Sequence, residues 1–374
     1  MNAALLGFGT VGRSLDELLS ERPIGISVTR ILRRPGKTAG DPRMTDDIHV
    51  ILADPTIDVV VEALSGEMPA ARWIEAALAA GKHVVTANKA AIAPRMVRLT
   101  ALAREKGAAF RFEAAVGGVI PWIENLRRAA GFDRIDRFCG ILNGTGNYIL
   151  DRMAAGLDFA EALALAQAKG YAEADPSADV GGLDLANKAL VTAAAAFGLA
   201  PEPGGSAALS VPTIGLDGID SAYLKAAAAA GKTVRFMAFG RRSEAMGAPR
   251  LALGAAPVLV PLGSLEAAVR RNYNFALFWG DVSGPLAFFG QGAGGRPTAD
   301  ALIADLRAIA ESGASAAPRV TEAPLDDALL FGFARYADGT VRSGAFADLA
   351  REAKALRGRH GFMAFEPAPE LFER

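Results

Sequence analysis

Apolar positions in the first third of the chain fall into short β-rich runs separated by amphipathic helical stretches. Asn2 to Gly7, Ile26 to Leu32, His49 to Leu52, Asp58 to Ala63, His83 to Thr86 and Ala109 to Ala114 read as strands. Between them, Val11 to Glu21, Pro69 to Ala80 and Ala91 to Lys106 read as helices, the second with Ile74, Ala77 and Leu78 on one face and Gly81 at its end. The run from Asp58 to Ala63 is almost continuously apolar, as a parallel strand covered on both faces requires. Alternation of this kind predicts βαβ units and an α/β domain.

After about Arg134 the texture changes. Arg137 to Leu142, Thr233 to Phe239, Arg250 to Leu253, Phe275 to Gly280 and Pro285 to Phe289 are strand-like, while Tyr148 to Ala155, Phe159 to Lys169 and Leu183 to Phe197 are helical. Clustered helices beside clustered strands predict a second, α+β domain. Residues 1–133 form the expected first domain and 134–297 the second, with a loop at Pro201 to Ser206 inside it. The helix of 298–313 is expected to pack back on the first domain. Residues 314–374 make a C-terminal appendage, with Phe331 to Tyr336, Ala345 to Leu356 and Phe362 to Phe365 as a small strand-helix-strand unit.

Composition narrows the classes. Hydrophobic residues make up 51% of the 374, which excludes a disordered chain. Forty Lys and Arg against 41 Asp and Glu leave a net charge of −1, with no electrostatic footprint for nucleic acid. The single Cys139 excludes a disulfide framework and a cysteine zinc site and fits a reducing cytoplasm. His49, His83 and His360 have no partner at metal-ligand spacing. The longest apolar stretch, roughly Ala189 to Ala200, is too short to span a bilayer, and the N-terminus does not read as a signal peptide.

Gly7-Phe8-Gly9-Thr10-Val11-Gly12 is a G-x-G-x-x-G between the first strand and the first helix. A tight turn at Gly7, close backbone approach at Gly9 and helix-strand packing at Gly12 suit a pyrophosphate on the helix N-terminus. With 41 glycines the bare pattern arises by chance roughly 0.5 times in such a chain, so its placement in a βαβ unit decides for dinucleotide binding. The acid that would hold a ribose 2′-OH is missing. The second strand ends in Arg33 and Arg34, which either receive a 2′-phosphate or are solvated arginines at a strand end.

Glu173, Asp175, Asp179 and Asp184 lie within twelve residues, a pattern that a solvated loop also produces. Asp184 and Lys188, however, stand at i,i+4 in an otherwise apolar helix. A partly desolvated lysine beside a carboxylate is a candidate proton donor. Lys89 follows the strand Val84-Val85-Thr86, at the carboxyl edge where open α/β sheets bind ligands, although a surface lysine reads the same way.

At this point the sequence resembles the homoserine dehydrogenase family. The carrying segments are GFGTVG (Gly7 to Gly12), TANKA (Thr86 to Ala90), EAAVGGVIP (Glu113 to Pro121) and GILNGTGNYIL (Gly140 to Leu150). Gly170 to Lys188, with GYAEADP followed by D-x-x-x-K, and GQGAGGRPT (Gly290 to Thr298) complete them, over roughly residues 1 to 313. The resemblance implies a Rossmann-type nucleotide-binding domain with a second α+β catalytic and dimerisation domain. It implies NAD(P)-dependent interconversion of L-homoserine and L-aspartate 4-semialdehyde, on the route to threonine, isoleucine and methionine.

Carried residue by residue, Lys188 resembles the proton relay, Asp184 its orienting partner, and Lys89 a group at nicotinamide and substrate. Glu173 resembles the ligand of the substrate ammonium, with Tyr171, Gly144, Thr145 and Asp179 lining the same pocket. Phe8, Thr10 and Val11 go with the glycine loop, and Gly144 and Gly294 with the cofactor. Glu113, Val116, Gly118 and Ile120 match a monovalent cation site for sodium or potassium, where a strand-turn with a buried Glu is the alternative. NADP(H) is expected over NAD(H), and a homodimer through the second domain.

Gly146 stands where the family often carries a polar residue, and Val61 to Gly66 reads VEALSG where VELIGG is commoner. These departures motivate a second reading, an NADPH-dependent reductase of another amino-acid semialdehyde. A third is a non-catalytic NADPH-binding regulator, against which Lys89, Glu173, Asp184 and Lys188 stand together.

Overall fold

The apolar strands of the first third assemble into one parallel sheet in the computed structural model, which describes residues 1–38, 40–201, 211–312, 317–336, 339–355 and 362–368. Its strands are β1 (Asn2–Leu6), β2 (Ser27–Leu32), β3 (Met44–Thr45), β4 (Val59–Glu62), β5 (His83–Thr86) and β6 (Phe110–Arg111), in the order β3-β2-β1-β4-β5-β6. β1 lies between β2 and β4, its register on β2 shifting between Ala3 and Ala4, with Leu6 opposite both Leu32 and Glu62. Leu5, Val59, Val61 and Val85 bury against Leu15, Leu18 and Leu19 of the helix Thr10–Glu21 and Leu302, Leu306 and Ile309 of the helix Gly295–Ser312. The opposite face of the sheet, with Ala4, Leu6, Val60 and Val84, is fully buried as well, so the sheet is covered on both sides.

The chain divides into two compact units. The first comprises Met1–Arg127 and Ala293–Thr321, the second Arg128–Gly292 and Glu322–Arg374. The second unit is built on an eight-stranded sheet from β7 (Ile135–Ile141), β9 (Lys232–Ala245), β10 (Ala248–Pro261), β11 (Tyr273–Gly280), β12 (Gly284–Gln291), β14 (Phe331–Tyr336), β15 (Val341–Ala345) and β16 (Phe362–Pro367). Their order is β12-β11-β7-β9-β10-β16-β14-β15, and β8 (Leu199–Pro201) pairs separately with β13 (Thr321–Ala323). The helix Leu183–Phe197 lies against β9 and β10.

Several elements differ from the sequence reading, each for a local reason. His49 to Leu52 is not a strand but part of the helix Ile48–Ala53, started by the Asp47 side chain accepting the His49 N–H at 2.8 Å. The helix expected over Ala91 to Lys106 begins at Lys89, passes through a 3₁₀ turn at Ala93–Arg95 that contains Pro94, and resumes at Met96. Only Phe110 and Arg111 of the expected last strand pair; Glu113–Ala115 is a 3₁₀ turn. The helix expected from Tyr148 starts at Gly144, because Asn143 caps it. β9 and β10 run to 14 residues each, well past their apolar halves. The two-residue turn between them has Met246 and Gly247 at φ 53° and 76°, the twist that suits a tight hairpin. The helix Ser221–Ala229 and the strands β3 and β15 carry too little periodicity to be read beforehand. Residues 202 to 206 of the expected loop lie outside the described residues.

The segment set apart as an appendage supplies β14, β15 and β16 to the large sheet. It is fastened by Phe346, fully buried, whose ring centre lies 5.0 Å from Phe239 and 4.8 Å from Phe365. Phe346→Ala should therefore lower unfolding stability by about 3–5 kcal/mol, the usual range for emptying an aromatic site in a packed core. Chemical denaturation measures it; a loss below about 1 kcal/mol would show the segment to be a loose addition.

Candidate active site

In the first unit the glycine loop leaves β1 and enters the helix Thr10–Glu21. Gly7 has φ +98°, and a Cβ there would stand 2.9 Å from the Ala63 carbonyl oxygen. A Cβ on Gly12 would collide with the Gly7 carbonyl. Both glycines are thus demanded by backbone contact, whereas Gly9 is exposed with open space beside it. Phe8 and Val11 are half-buried and Thr10 is exposed at the helix start. Arg33 is half-buried, with its guanidinium 5.7 Å from the centre of the Phe8 ring; Arg34 is exposed. Gly294, exposed and at φ +131°, precedes the helix Gly295–Ser312.

Lys89 is half-buried and opens a short helix at the carboxyl end of β5. Asn88 caps that helix by accepting the Ala91 N–H at 3.1 Å. Beneath it lies Glu62, the last residue of β4, fully buried and bonded to Leu64 N–H, Thr86 and Asn88. Burial pushes its carboxyl above the usual range, and these hydrogen bonds oppose the shift. The sequence reading does not single Glu62 out, although an acid ending the run Val59-Val60-Val61 is the available signal.

The second cluster lies in the second unit. The Lys188 ammonium donates to Asp184 Oδ2 at 2.7 Å and to the Leu142 carbonyl at 2.6 Å. The side chains of Lys188 and Asp184 are 12% and 7% exposed, so this ion pair is screened far less than a surface pair. Asn143 organises it. Its Nδ2 donates to Asp184 Oδ2 at 2.8 Å and to Asp179 Oδ1 at 2.7 Å, and its Oδ1 accepts the Gly146 N–H at 2.6 Å. Asn143 is a member of this cluster that sequence reasoning missed, though it stands in the segment GILNGTGNYIL.

Thr145 donates to the Tyr171 carbonyl at 2.6 Å, and Tyr171 packs edge-on against Tyr148 with 5.0 Å between ring centres. A Cβ on Gly144 would come within 2.8 Å of the Asn272 carbonyl. Gly146 is closed in by Phe236 and Leu216, at 2.6 and 3.2 Å from its notional Cβ, so core packing accounts for the missing side chain. Glu173 is exposed, and Gln167 holds its carbonyl at 3.0 Å.

Glu113, Val116, Gly118 and Ile120 are all buried in the first unit. The two carboxylate oxygens of Glu113 accept the N–H groups of Ile123 and Glu124 at 2.9 and 2.7 Å. Burial first, and then the neighbouring Asp305, push Glu113 up to about 8. The backbone N–H groups at the start of the helix Trp122–Ala130 oppose that shift, so the buried strand-turn accounts for this carboxyl by itself. Among the described residues there is no group of three or more His, Cys, Asp or Glu side chains that could hold a metal.

A model of the homoserine dehydrogenase NAD-binding domain matches residues 7–113, and one of homoserine dehydrogenase matches residues 121–306. The homoserine dehydrogenase of Pseudomonas aeruginosa is 38% identical over 318 residues, covering 82% of this chain and 71% of its own length. The chain belongs to the homoserine dehydrogenase family. It is accordingly an oxidoreductase acting on a CH–OH group, with a nicotinamide-cofactor domain of Rossmann type. The homoserine dehydrogenase of a Synechocystis strain is 38% identical over 317 residues, 81% of this chain and 71% of its own. Among solved structures, that of a homoserine dehydrogenase from Thiobacillus denitrificans aligns with a TM-score of 0.82 at 27% identity, over 98% of both chains. A hyperthermophilic archaeal homoserine dehydrogenase in complex with NADPH aligns at 0.69 and 25% identity, over 83% of this chain and 98% of its own. Family membership does not favour the other-semialdehyde reductase or the non-catalytic regulator. Among the described residues no helix is long and apolar enough to cross a membrane.

Proposed function

We propose that the chain interconverts L-homoserine and L-aspartate 4-semialdehyde with NADP(H) in preference to NAD(H), in the cytoplasm, on the route to threonine, isoleucine and methionine. The observation that carries this reading is the nearly buried Lys188 ammonium, fixed by Asp184 and the Leu142 carbonyl. When bound, the nicotinamide supplies or accepts the hydride. In the reducing direction Lys188 donates a proton to the aldehyde oxygen as negative charge grows there, and in the oxidising direction it takes that proton back. Asp184 keeps the ammonium aimed, and Asn143 keeps Asp184 aimed. Lys89 adds positive charge at the reacting oxygen. Glu173, exposed and acidic, pairs with the substrate ammonium, with Tyr171, Thr145, Gly144 and Asp179 around it.

Gly7, Phe8, Gly9, Thr10, Val11 and Gly12 hold the pyrophosphate in this reading, with Gly144 and Gly294 as further cofactor contacts. Arg33 and Arg34 receive the 2′-phosphate; the place of Arg33 beside Phe8 supports this. Sodium or potassium is held at Glu113, Val116, Gly118 and Ile120. A homodimer forms through the second unit. That reading is supported by the edge strand β12, where Leu286 and Phe289 are 41% and 61% exposed.

Lys188→Ala should lower kcat by ~10²–10⁴-fold and leave NADPH affinity nearly unchanged. Because it strips Asp184 of its cation, thermal unfolding is measured alongside; a folded variant keeping more than about a tenth of kcat contradicts the relay. Replacing both Arg33 and Arg34 by Ala should reduce the NADP/NAD ratio of kcat/KM by roughly ten- to a hundredfold. An unchanged ratio would leave the two arginines as solvated surface. Light scattering should give twice the chain mass for the parent, and Phe289→Asp should shift it toward monomer; a monomeric parent rules the dimer out.

A further inference from the structure

Glu62 does more than finish a strand. Among the described residues, the partners bonded to its carboxylate are neutral donors: Leu64 N–H at 2.7 Å and Asn88 Nδ2 at 3.3 Å on Oε1, Thr86 Oγ1 at 2.5 Å on Oε2. A fully buried carboxylate without a cation bonded to it is costly, so such a group persists where the contacts it makes matter. Those contacts reach two loops. Through Leu64, and through Asn88 donating to Gly66 O at 2.7 Å, it fixes the segment after β4. That segment includes Ala63, whose carbonyl lies against Gly7 of the glycine loop. Through Thr86, which accepts the Asn88 N–H at 3.0 Å, and through Asn88 itself, it fixes the cap of the helix that begins with Lys89.

We propose that Glu62 is a positioning residue for the reaction, setting Lys89 and the Ala63–Gly66 loop in one arrangement at the carboxyl ends of β4 and β5. This rests on the reading of Lys89 as a group at the reacting centre. An apolar residue would take the acceptor from the Leu64 N–H and the Thr86 hydroxyl, while Asn88 Nδ2 would keep its hold through Gly66. Glutamine is the informative substitute: its oxygen can serve Leu64 N–H while its NH₂ donates to Thr86 Oγ1.

The test compares Glu62→Ala, Glu62→Gln, Asn88→Ala and the Glu62→Ala/Asn88→Ala double variant in the full chain. Glu62→Ala should raise KM for NADP and lower kcat, each by about tenfold or more, while Glu62→Gln stays within about threefold of the parent. The double variant should be hardly worse than Glu62→Ala alone, since both break one network. Amide hydrogen exchange of the cofactor-free protein supplies a readout independent of turnover, with Leu64 and Ala91 exchanging about tenfold faster in Glu62→Ala. A folded Glu62→Ala with kinetics within about twofold of the parent overturns the proposal, even if its Tm falls, because a purely structural role would do only that. Unchanged exchange at both amides overturns it as well. A parent without homoserine turnover would defeat the functional reading instead, and exchange at Leu64 and Ala91 would still decide the positioning.

Discussion

An ammonium almost removed from water must be met by fixed acceptors, and that constraint organises the second unit. Lys188 meets it with one carboxylate and one backbone carbonyl. Neither acceptor is free to wander: Asp184 sits one helical turn earlier on the same face, and Leu142 immediately follows β7. Asn143 then closes the arrangement by spending both amide hydrogens on Asp179 and Asp184 and its oxygen on the next helix. One carboxamide therefore sets the end of a strand, the start of a helix and the acid beside the lysine. The tight spacing of Gly144 and Gly146 follows, since larger side chains would push this turn away from Asn272 and Phe236.

In the first unit a related problem is met by neutral donors around the buried Glu62. The parallel sheet puts the carboxyl ends of β1, β4 and β5 side by side, with Leu6, Glu62 and Thr86 in one row across them. Gly7, Ala63 and Ala87 still bond through their N–H groups to the neighbouring strands; beyond them the loops leave the sheet and their backbone groups need other partners. Glu62 and Asn88 supply them from below. The acid that family-type reasoning seeks at the end of β2 is replaced by arginines, while an acid at the end of β4 does the fixing.

Legibility in the sequence followed the range of the interactions. The alternation of apolar runs with helical periodicity was enough for the parallel sheet and the glycine loop, because both depend on local patterns. The Asp184–Lys188 pair was equally legible, being a one-turn spacing. Asn143 and Glu62 were not, because their worth lies in partners 41 and 24 residues away. The strand expected at His49 to Leu52 failed for the opposite reason: four apolar-rich residues fit either period, and a single capping contact from Asp47 decided for helix. In the tail, strand β16 pairs with β14 and touches β10, so its place in the large sheet is a long-range fact that its own residues do not announce.

The discontinuity of the first unit has a physical basis in the same long-range terms. The helix Gly295–Ser312 packs on the helix Thr10–Glu21, and Gly295 comes so close to Thr10 and Ser14 that a Cβ would stand 2.8 Å from each. Farther along, Asp305, fully buried, accepts the Glu113 N–H at 2.8 Å just after β6. Without this helix the cluster of Leu15, Leu18, Val28 and Ala114 loses part of its packing, and the helix after the glycine loop loses one wall. The cofactor unit is therefore complete only after the chain has laid down five strands of the other sheet and come back, and the stability of the glycine loop depends on residues some 290 positions downstream of it.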